Sequence, residues 1–361
     1  MCVASFGCDQ GEARDQPRGS GSGPYLQVVG ANAAVDRPLP ADGRIQIAFD
    51  RFLHPATVVR QSFQLRNAFG EVAASPVVTY DPVARVVTLS SPRVTPGAWL
   101  LPHQPYRVFM PVPESDDDAN GPRAADRATL APGEVHSIDF MTTDAAGPPA
   151  LERRIDYCND VSPLFRRHCS ASSCHGAPRP VLVSTRFPDG MSRPAAGLVL
   201  ETSIGVANTA LGRVAQGSNT GARAGSGRPP GVLFGVDMPI IDADPSLARG
   251  NAANSWLMYK LLLAARRPED TGRVDAAPTC SGSPPAPLVD ATFPFAQPVS
   301  SDERARLGDM VLGREMPYPS SVPDGVPTGN PPLTDEELER VRAWITQGAP
   351  VPDCAACNLE P

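Results

Sequence analysis

The feature that most constrains this chain is a change of hydrophobic period at Gly147-Pro148-Pro149. Before it, polar and apolar residues alternate, as in Arg44-Ile45-Gln46-Ile47-Ala48-Phe49, Ser62-Phe63-Gln64-Leu65 and Arg85-Val86-Val87-Thr88-Leu89. A period of two puts successive side chains on opposite faces of a strand, so one face is buried and the other stays wet. Residues 26–29, 77–80, 106–109 and 138–140 continue the pattern between Gly, Pro and Asp turns. About seven short strands predict an antiparallel sandwich over residues 24–147. After the break the alternation stops. Residues 151–168 carry Ile155, Val161, Leu164 and Phe165, which predicts a short helix or two.

Composition narrows the classes. Proline (42) and glycine (31) make up about one residue in five, high but below the level of a disordered chain. The net charge of -7 lacks the basic excess of a nucleic-acid binder, and the length of 361 residues fits two domains. No run reaches the roughly 18 apolar residues of a membrane-spanning helix. Lys260 is the sole lysine, every other basic side chain of that class being arginine, which reads as coding bias.

The eight cysteines are Cys2, Cys8, Cys158, Cys169, Cys174, Cys280, Cys354 and Cys357. Residues 1–23 read as a signal remnant followed by a Gly-rich linker, with two alternatives for Cys8. Small residues ending in Gly7-Cys8 match the tail of a lipoprotein signal, in which Cys8 is lipidated and tethers the chain to a membrane. Phe6 and the missing apolar run fit a disordered terminus with two incidental cysteines instead.

The chemistry-bearing motif is Cys169-Ser170-Ala171-Ser172-Ser173-Cys174-His175-Gly176, or C-x4-C-H-G. Covalent haem attachment needs two thiols and one imidazole side by side. The thiols add to the two haem vinyl groups, and the histidine gives a ring nitrogen to iron. The usual spacing is C-x-x-C-H; the four residues here are all small, which lets a longer loop bulge past the porphyrin edge. Cys169 and Cys174 are then the attachment residues and His175 the axial ligand. Two other readings fit the spacing: a small disulfide loop, and a zinc site of Cys158, Cys169, Cys174 and His175.

An electron-carrying iron takes a sixth ligand, often methionine. Met316, in Gly313-Arg314-Glu315-Met316-Pro317, is the leading candidate, with Met310 and Met238 behind it. Met316 as a core-packing loop residue is the alternative. Arg314 is placed either at a haem propionate or on the surface. Residues 333–345 predict the best helix in the chain, with Thr334 as N-cap and Glu337 as its capping-box partner. Leu338, Val341, Trp344 and Ile345 share one face, and Gly348 and Pro350 end it. Of the remaining cysteines, Cys354–Cys357 closes a very short ring, which favours bonds from each to Cys158 or Cys280.

Asp116-Asp117-Asp118-Ala119-Asn120-Gly121 matches the first half of a calcium loop. The twelfth position is Arg127, where a glutamate is needed, so a solvated acidic turn is preferred. His54, His103 and His136 lack metal-ligand spacing.

Two resemblances follow from these residues. Ile45-Gln46-Ile47-Ala48-Phe49-Asp50, Leu53-His54-Pro55-Ala56-Thr57-Val58 and Phe140-Met141-Thr142-Thr143 resemble bacterial Ig-like domains of the surface-layer type. That implies an extracytoplasmic spacer or adhesion module. The second half resembles the cytochrome c-like domains of large secreted proteins from Planctomycetes and Myxobacteria. The residues are the C-H-G motif, Asn254-Ser255-Trp256-Leu257-Met258-Tyr259-Lys260-Leu261, Arg314-Glu315-Met316-Pro317, and Pro332-Leu333-Thr334-Asp335 leading to Trp344-Ile345 and Gly348-Ala349. Two features depart from that pattern: the wide cysteine gap, and the 141 residues from His175 to Met316.

The resemblances imply a multidomain chain, with an N-terminal all-β Ig-like sandwich and a C-terminal mainly α cytochrome c-like domain with long loops over residues 148–361. The function they imply is an exported monohaem electron carrier without substrate chemistry. Its haem c is covalent, with His175 and Met316 on the iron, in the periplasm or at the outer cell surface, serving a redox partner protein. The alternatives are a disulfide-stapled surface or adhesion protein without haem, and a haem enzyme or sensor with an open distal site.

Overall fold

The structure is a computed structural model that describes residues 23–92, 97–114, 118, 120–147, 152–170, 174–180, 183, 188–192, 194–215, 238–264, 298–311, 315–317 and 332–354. Two compact units divide the chain. One comprises Gln16–Leu151 with Asp290–Met310; the other comprises Met1–Asp15, Glu152–Val289 and Val311–Pro361.

Among the described residues the first unit holds eight strands: β1 (Val28–Ala31), β2 (Leu39–Pro40), β3 (Ile45–Phe49), β4 (Gln64–Asn67), β5 (Val77–Asp81), β6 (Val86–Ser90), β7 (Pro105–Met110) and β8 (His136–Thr143). They form two four-stranded sheets, ordered β1-β3-β6-β5 and β2-β8-β7-β4. Every pairing is antiparallel except β2 with β8. The alternation in the sequence decides the buried face. Ile45 and Ile47 of β3 lie opposite Leu89 and Val87 of β6, and all four are buried. In the other sheet Leu65 pairs with Val108, and Tyr106 stacks on Phe140 with ring centroids 5.9 Å apart. A shift of one residue would turn these sets to water, so the apolar pattern itself fixes the register.

A helix from far downstream completes this unit. α4 (Ser301–Met310) belongs to it as part of Asp290–Met310, although residues 152–289 and 311–361 belong to the other unit. The Ser300 hydroxyl accepts from the Glu303 N–H at 3.1 Å, so Ser300-Ser301-Asp302-Glu303 has the start of a capping box. The Glu303 carboxylate is used elsewhere. It accepts from Arg51 Nε at 2.9 Å and from the Phe52 N–H at 2.9 Å. Arg51 also donates to Asp126 at 2.7 Å and to the Pro24 carbonyl at 2.8 Å.

The second unit is a mixture of short helices, turns and one small ladder. A π-turn (Tyr157–Val161) runs into α1 (Ser162–His168); α2 (Ser203–Thr209), α3 (Trp256–Leu262) and α5 (Asp335–Thr346) follow. β9 (Ala243–Asp244) pairs antiparallel with β10 (Arg249–Gly250). The expectation of a mainly α second half is therefore corrected: the chain is a mixed α/β protein. Among the described residues α1, α2 and α3 have seven residues each and α5 has twelve. Pro178, Pro180, Pro188, Pro194, Pro239 and Pro245 punctuate the intervening stretch, and each removes a backbone donor. Helical segments this short are marginal alone and depend on packing.

That packing centres on α5. Trp344 is fully buried, with ring centroids 5.6 Å from Tyr157 and 5.8 Å from Phe165. α3 is buried on every side, from Trp256 to Leu262. The sequence signals for α5 are realised: Thr334 and Glu337 form the reciprocal capping box, and Gly348 takes a φ of 94° just past the helix end. Gly250 permits β10 to approach α5, since a Cβ there would clash with the Ile345 carbonyl. A Cys158–Cys354 disulfide joins residues 196 apart. No described helix is long and apolar enough to cross a membrane.

Candidate functional site

α1 delivers the motif. Its C-terminal residue is His168, and the Cys169 N–H still donates to the Phe165 carbonyl at 2.9 Å. The chain then returns, because the His175 N–H donates to the Cys169 carbonyl at 3.0 Å. Residues 195–200 grip the far side of this loop. Ala195 N–H donates to the Cys174 carbonyl at 2.5 Å, and Leu200 N–H to the His175 carbonyl at 2.8 Å. Ala171, Ser172 and Ser173, which carry the proposed bulge, lie outside the described residues.

His175 is half-buried, and its Nδ1 lies 3.2 Å from the Leu198 carbonyl. The ring also hydrogen-bonds with the Ala195 backbone, so two backbone groups orient the imidazole, as backbone carbonyls orient metal-bound histidines. Burial pushes the imidazole down to about 4, opposed by the Leu198 and Ala195 backbone hydrogen bonds and helped by the charge of Lys260, so the ring is neutral at pH 7.

Lys260 is more than the coding bias its rarity suggests, because its charge acts on His175. It sits in the middle of buried α3, and burial pushes its amine down to about 7 against the opposing pull of Glu315. A lone lysine inside Trp256-Leu257-Met258-Tyr259-Lys260-Leu261-Leu262-Leu263 was the available signal. The Met316 N–H donates to the Lys260 carbonyl at 2.9 Å, and the Met316–Pro317 peptide is cis. Helix α3 therefore receives the loop with Glu315 and Met316, and its lysine is felt at His175.

The two motif sulfurs differ in state. Cys169 is a free, buried thiol, and burial pushes its pKa up to about 12. Cys174 is disulfide-bonded, to a partner outside the described residues. A covalent haem needs both sulfurs as thiols. His175 and Cys169 suit that group as they stand; Cys174 suits it only after its disulfide is reduced. Among the described residues no set of three or more His, Cys, Asp or Glu side chains gathers as a metal centre. The four-ligand zinc arrangement does not assemble either, since Cys158 and Cys174 are both in disulfides.

The remaining candidates are placed as follows. His168 is buried between Arg167, whose Nε donates to it at 3.0 Å, and the Glu337 carboxylate. Burial alone would raise the Glu337 carboxyl, but His168, the Thr334 N–H and the Arg167 charge together hold it down at about 2. Met238 is buried in the second unit, and Met310 lies on α4 in the first. Trp256 and Trp344 are core residues. In the acidic turn, Asp118 accepts from the Asn120 and Glu114 N–H groups; Asp116, Asp117 and Ala119 lie outside the described residues. So do Cys2, Cys8, Cys280, Cys357 and Arg314.

No family model matches the sequence. No curated protein matches it. Among solved structures, the S-layer protein rSbsC is similar at 14% identity and a TM-score of 0.24, over 38% of this chain and 16% of that one. A structure of domains 1-6 of the surface layer protein SbsC gives 13% identity and a TM-score of 0.24, over 37% of this chain and 15% of that one. E. coli alpha-2-macroglobulin gives 12% identity at the same TM-score, over 34% of this chain and 6% of that one. Likenesses this remote carry no functional argument.

Proposed function

We propose that this chain is an exported electron-transfer protein that carries one covalent haem c, with Cys169 and Cys174 as attachment residues, His175 as axial ligand and Met316 as the opposite ligand. The observation that supports it best is His175. A neutral imidazole is oriented by the Leu198 carbonyl and the Ala195 backbone, directly after a cysteine pair and beside a buried thiol. Haem, when bound, supplies one-electron iron chemistry. The chain's part is to orient His175 through the Leu198 carbonyl, to keep it neutral by burial, and to present the Glu315-Met316 loop on α3. Reduction of the Cys174 disulfide has to precede attachment. The site of action is the periplasm or outer cell surface, with Cys8 as a lipid tether in the lipoprotein form of this reading.

The test is the protein exported together with haem-maturation machinery. A pyridine haemochrome spectrum and haem that resists acid-acetone extraction are the expected results. With haem in place, Met316→Ala should increase CO binding; unchanged CO binding would remove Met316 from the iron.

The Cys174 disulfide favours a second reading, a disulfide-stapled surface or adhesion protein without haem. Colourless protein whose intact mass shows Cys174 oxidised after that same coexpression selects it.

A further inference from the structure

We propose that Arg51 and the Phe52 N–H form a carboxylate-binding site on the sandwich, built for a glutamate that a helix presents, with Glu303 of α4 as its occupant in this chain. All of these residues belong to one compact unit. The site aims one donor at each carboxylate oxygen. Arg51 Nε donates to Glu303 Oε2 at 2.9 Å, and the Phe52 N–H donates to Oε1 at 2.9 Å. Arg51 is 2% exposed and Glu303 3% exposed, so these charge-assisted bonds lie away from water. Charge alone does not call for Glu303, because Asp126 already pairs with the guanidinium at Nη2, 2.7 Å away. What Glu303 answers is a pair of converging donors, which is a matter of geometry. Within α4 itself, Arg306 donates to Glu303 at 3.4 Å.

The sandwich fixes both donors by its own hydrogen bonds. The Phe52 carbonyl accepts from the Ala125 N–H at 2.7 Å, and the Leu53 N–H donates to the Tyr80 hydroxyl at 3.0 Å. The backbone on the far side of the Phe52 N–H is therefore held in place. The guanidinium is held at Nη1 by the Pro24 carbonyl at 2.8 Å and at Nη2 by Asp126, whose other oxygen accepts from the Ala128 N–H at 3.1 Å. None of these partners comes from α4, so the site is preorganised and little ordering is left to lose when a carboxylate enters. α4 in turn has the form of a docked peptide. Glu303, Leu307 and Met310 are buried at i, i+4 and i+7, the anchor spacing of a helix laid on a receptor. Once Glu303 is shortened, the same two donors should take a small free carboxylate. The site lies in the sandwich unit, and its test is independent of haem uptake.

Acetate has the heavy atoms that Glu303→Ala removes, so it is the probe. Full-length, isotope-labelled Glu303→Ala is titrated with sodium acetate and followed by NMR. The Phe52 amide and Arg51 Nε–H resonances should shift saturably toward their wild-type positions. Sodium chloride at matched ionic strength and acetamide, the neutral isostere, should leave them in place. Wild-type protein, its site filled by Glu303, should not respond to acetate. No shift in the variant overturns the site, and so does an equal shift with chloride, with acetamide or in wild type. Glu303→Gln covers the case in which Glu303→Ala does not fold. Its amide keeps the packing but offers one oxygen where two donors converge. Hydrogen exchange of the Phe52 amide should then accelerate about tenfold, with the amides of β3 unchanged. Unchanged exchange at Phe52 overturns the site. Equal acceleration along β3 overturns it as well, since Glu303 would then support the whole sheet and not meet these two donors in particular.

Discussion

Phe49 in the first unit and Trp344 in the second are both fully buried, but different things hold them there. Phe49 ends β3, whose backbone is zipped to β1 on one side and β6 on the other. Trp344 lies on α5, and its aromatic neighbours Tyr157 and Phe165 come from about 180 residues earlier in the chain. In place of ladders the second unit has clips. The Cys158–Cys354 disulfide closes the same long loop, and the Gln347 side chain accepts from the Ile155 N–H at 2.8 Å and donates to the Arg153 carbonyl at 2.9 Å. Arg153 in turn forks onto buried Asp160 at 2.8 and 3.0 Å. A sheet spreads its stability over many equivalent hydrogen bonds. A clipped domain concentrates it in a few side chains, and single substitutions should reveal the difference.

The largest effect should come from the disulfide. Closing a loop of 196 residues is worth about 5 kcal/mol in the chain-entropy account. Cys158→Ser should therefore unfold the second unit at much lower urea while the sandwich keeps its midpoint. Trp256 and Trp344 report on one unit and Trp99 on the other, so fluorescence of single-tryptophan variants can follow each. Equal loss in both units would erase the contrast drawn above. Next comes Trp344→Ala, which empties the centre of the aromatic cluster and should cost about 4 kcal/mol. A Trp344→Phe variant that retains most of the lost stability would locate the effect in packing volume; one as damaging as alanine would point to the indole N–H, which donates to the Pro350 carbonyl at 3.0 Å.

The same contrast explains what could be read in advance. Ile45, Ile47, Val87, Leu89 and Val108 announced their buried face by alternation alone, because a strand's period of two is a local property. Thr334, Glu337 and Gly348 announced α5 for the same reason, since caps are local chemistry. Residues 39–40 were missed because two residues show no period, and α4 was missed because its apolar content is low and its decisive contact is a single glutamate reaching Arg51. Apart from α5, the second unit resisted prediction. The charge of Lys260 at His175 and the His168–Glu337 contact both depend on chain segments brought together from more than 80 residues apart. The helix content was also overestimated. The mainly α expectation came from the resemblance, whereas a proline-rich chain completes only short helices between its breaks.

Acid should separate the units further. Glu337 holds its proton at about 2 in the folded protein, against an ordinary value of 4.5. A carboxyl depressed by folding contributes its stability in full above the ordinary value and loses it as pH falls toward the folded one. The second unit should thus lose about 3 kcal/mol between pH 4.5 and 2 from this group. Glu337→Gln should be less stable at pH 7 and should flatten this part of its own pH profile. A profile with the same slope in wild type and variant would move the acid sensitivity to another carboxylate.

The smallest effect expected is also the most local. Thr334 Oγ1 accepts from the Glu337 N–H at 3.2 Å, and Glu337 Oε2 accepts from the Thr334 N–H at 2.9 Å. Thr334→Ala removes the first of these bonds and should cost about 1 kcal/mol, with Thr334→Ser close to wild type. Glu337, however, is shared: the same carboxylate meets Arg167 and lies beside His168, next to Cys169. If the cap only starts a helix, Thr334→Ala and Glu337→Gln should add in the double variant. If the cap also steers the carboxylate onto the end of α1, the double variant should lose less than the sum. Additivity would reduce the box to a helix stop. A shortfall would make it one of the clips that hold the second unit together, joining α5 to the helix that delivers Cys169.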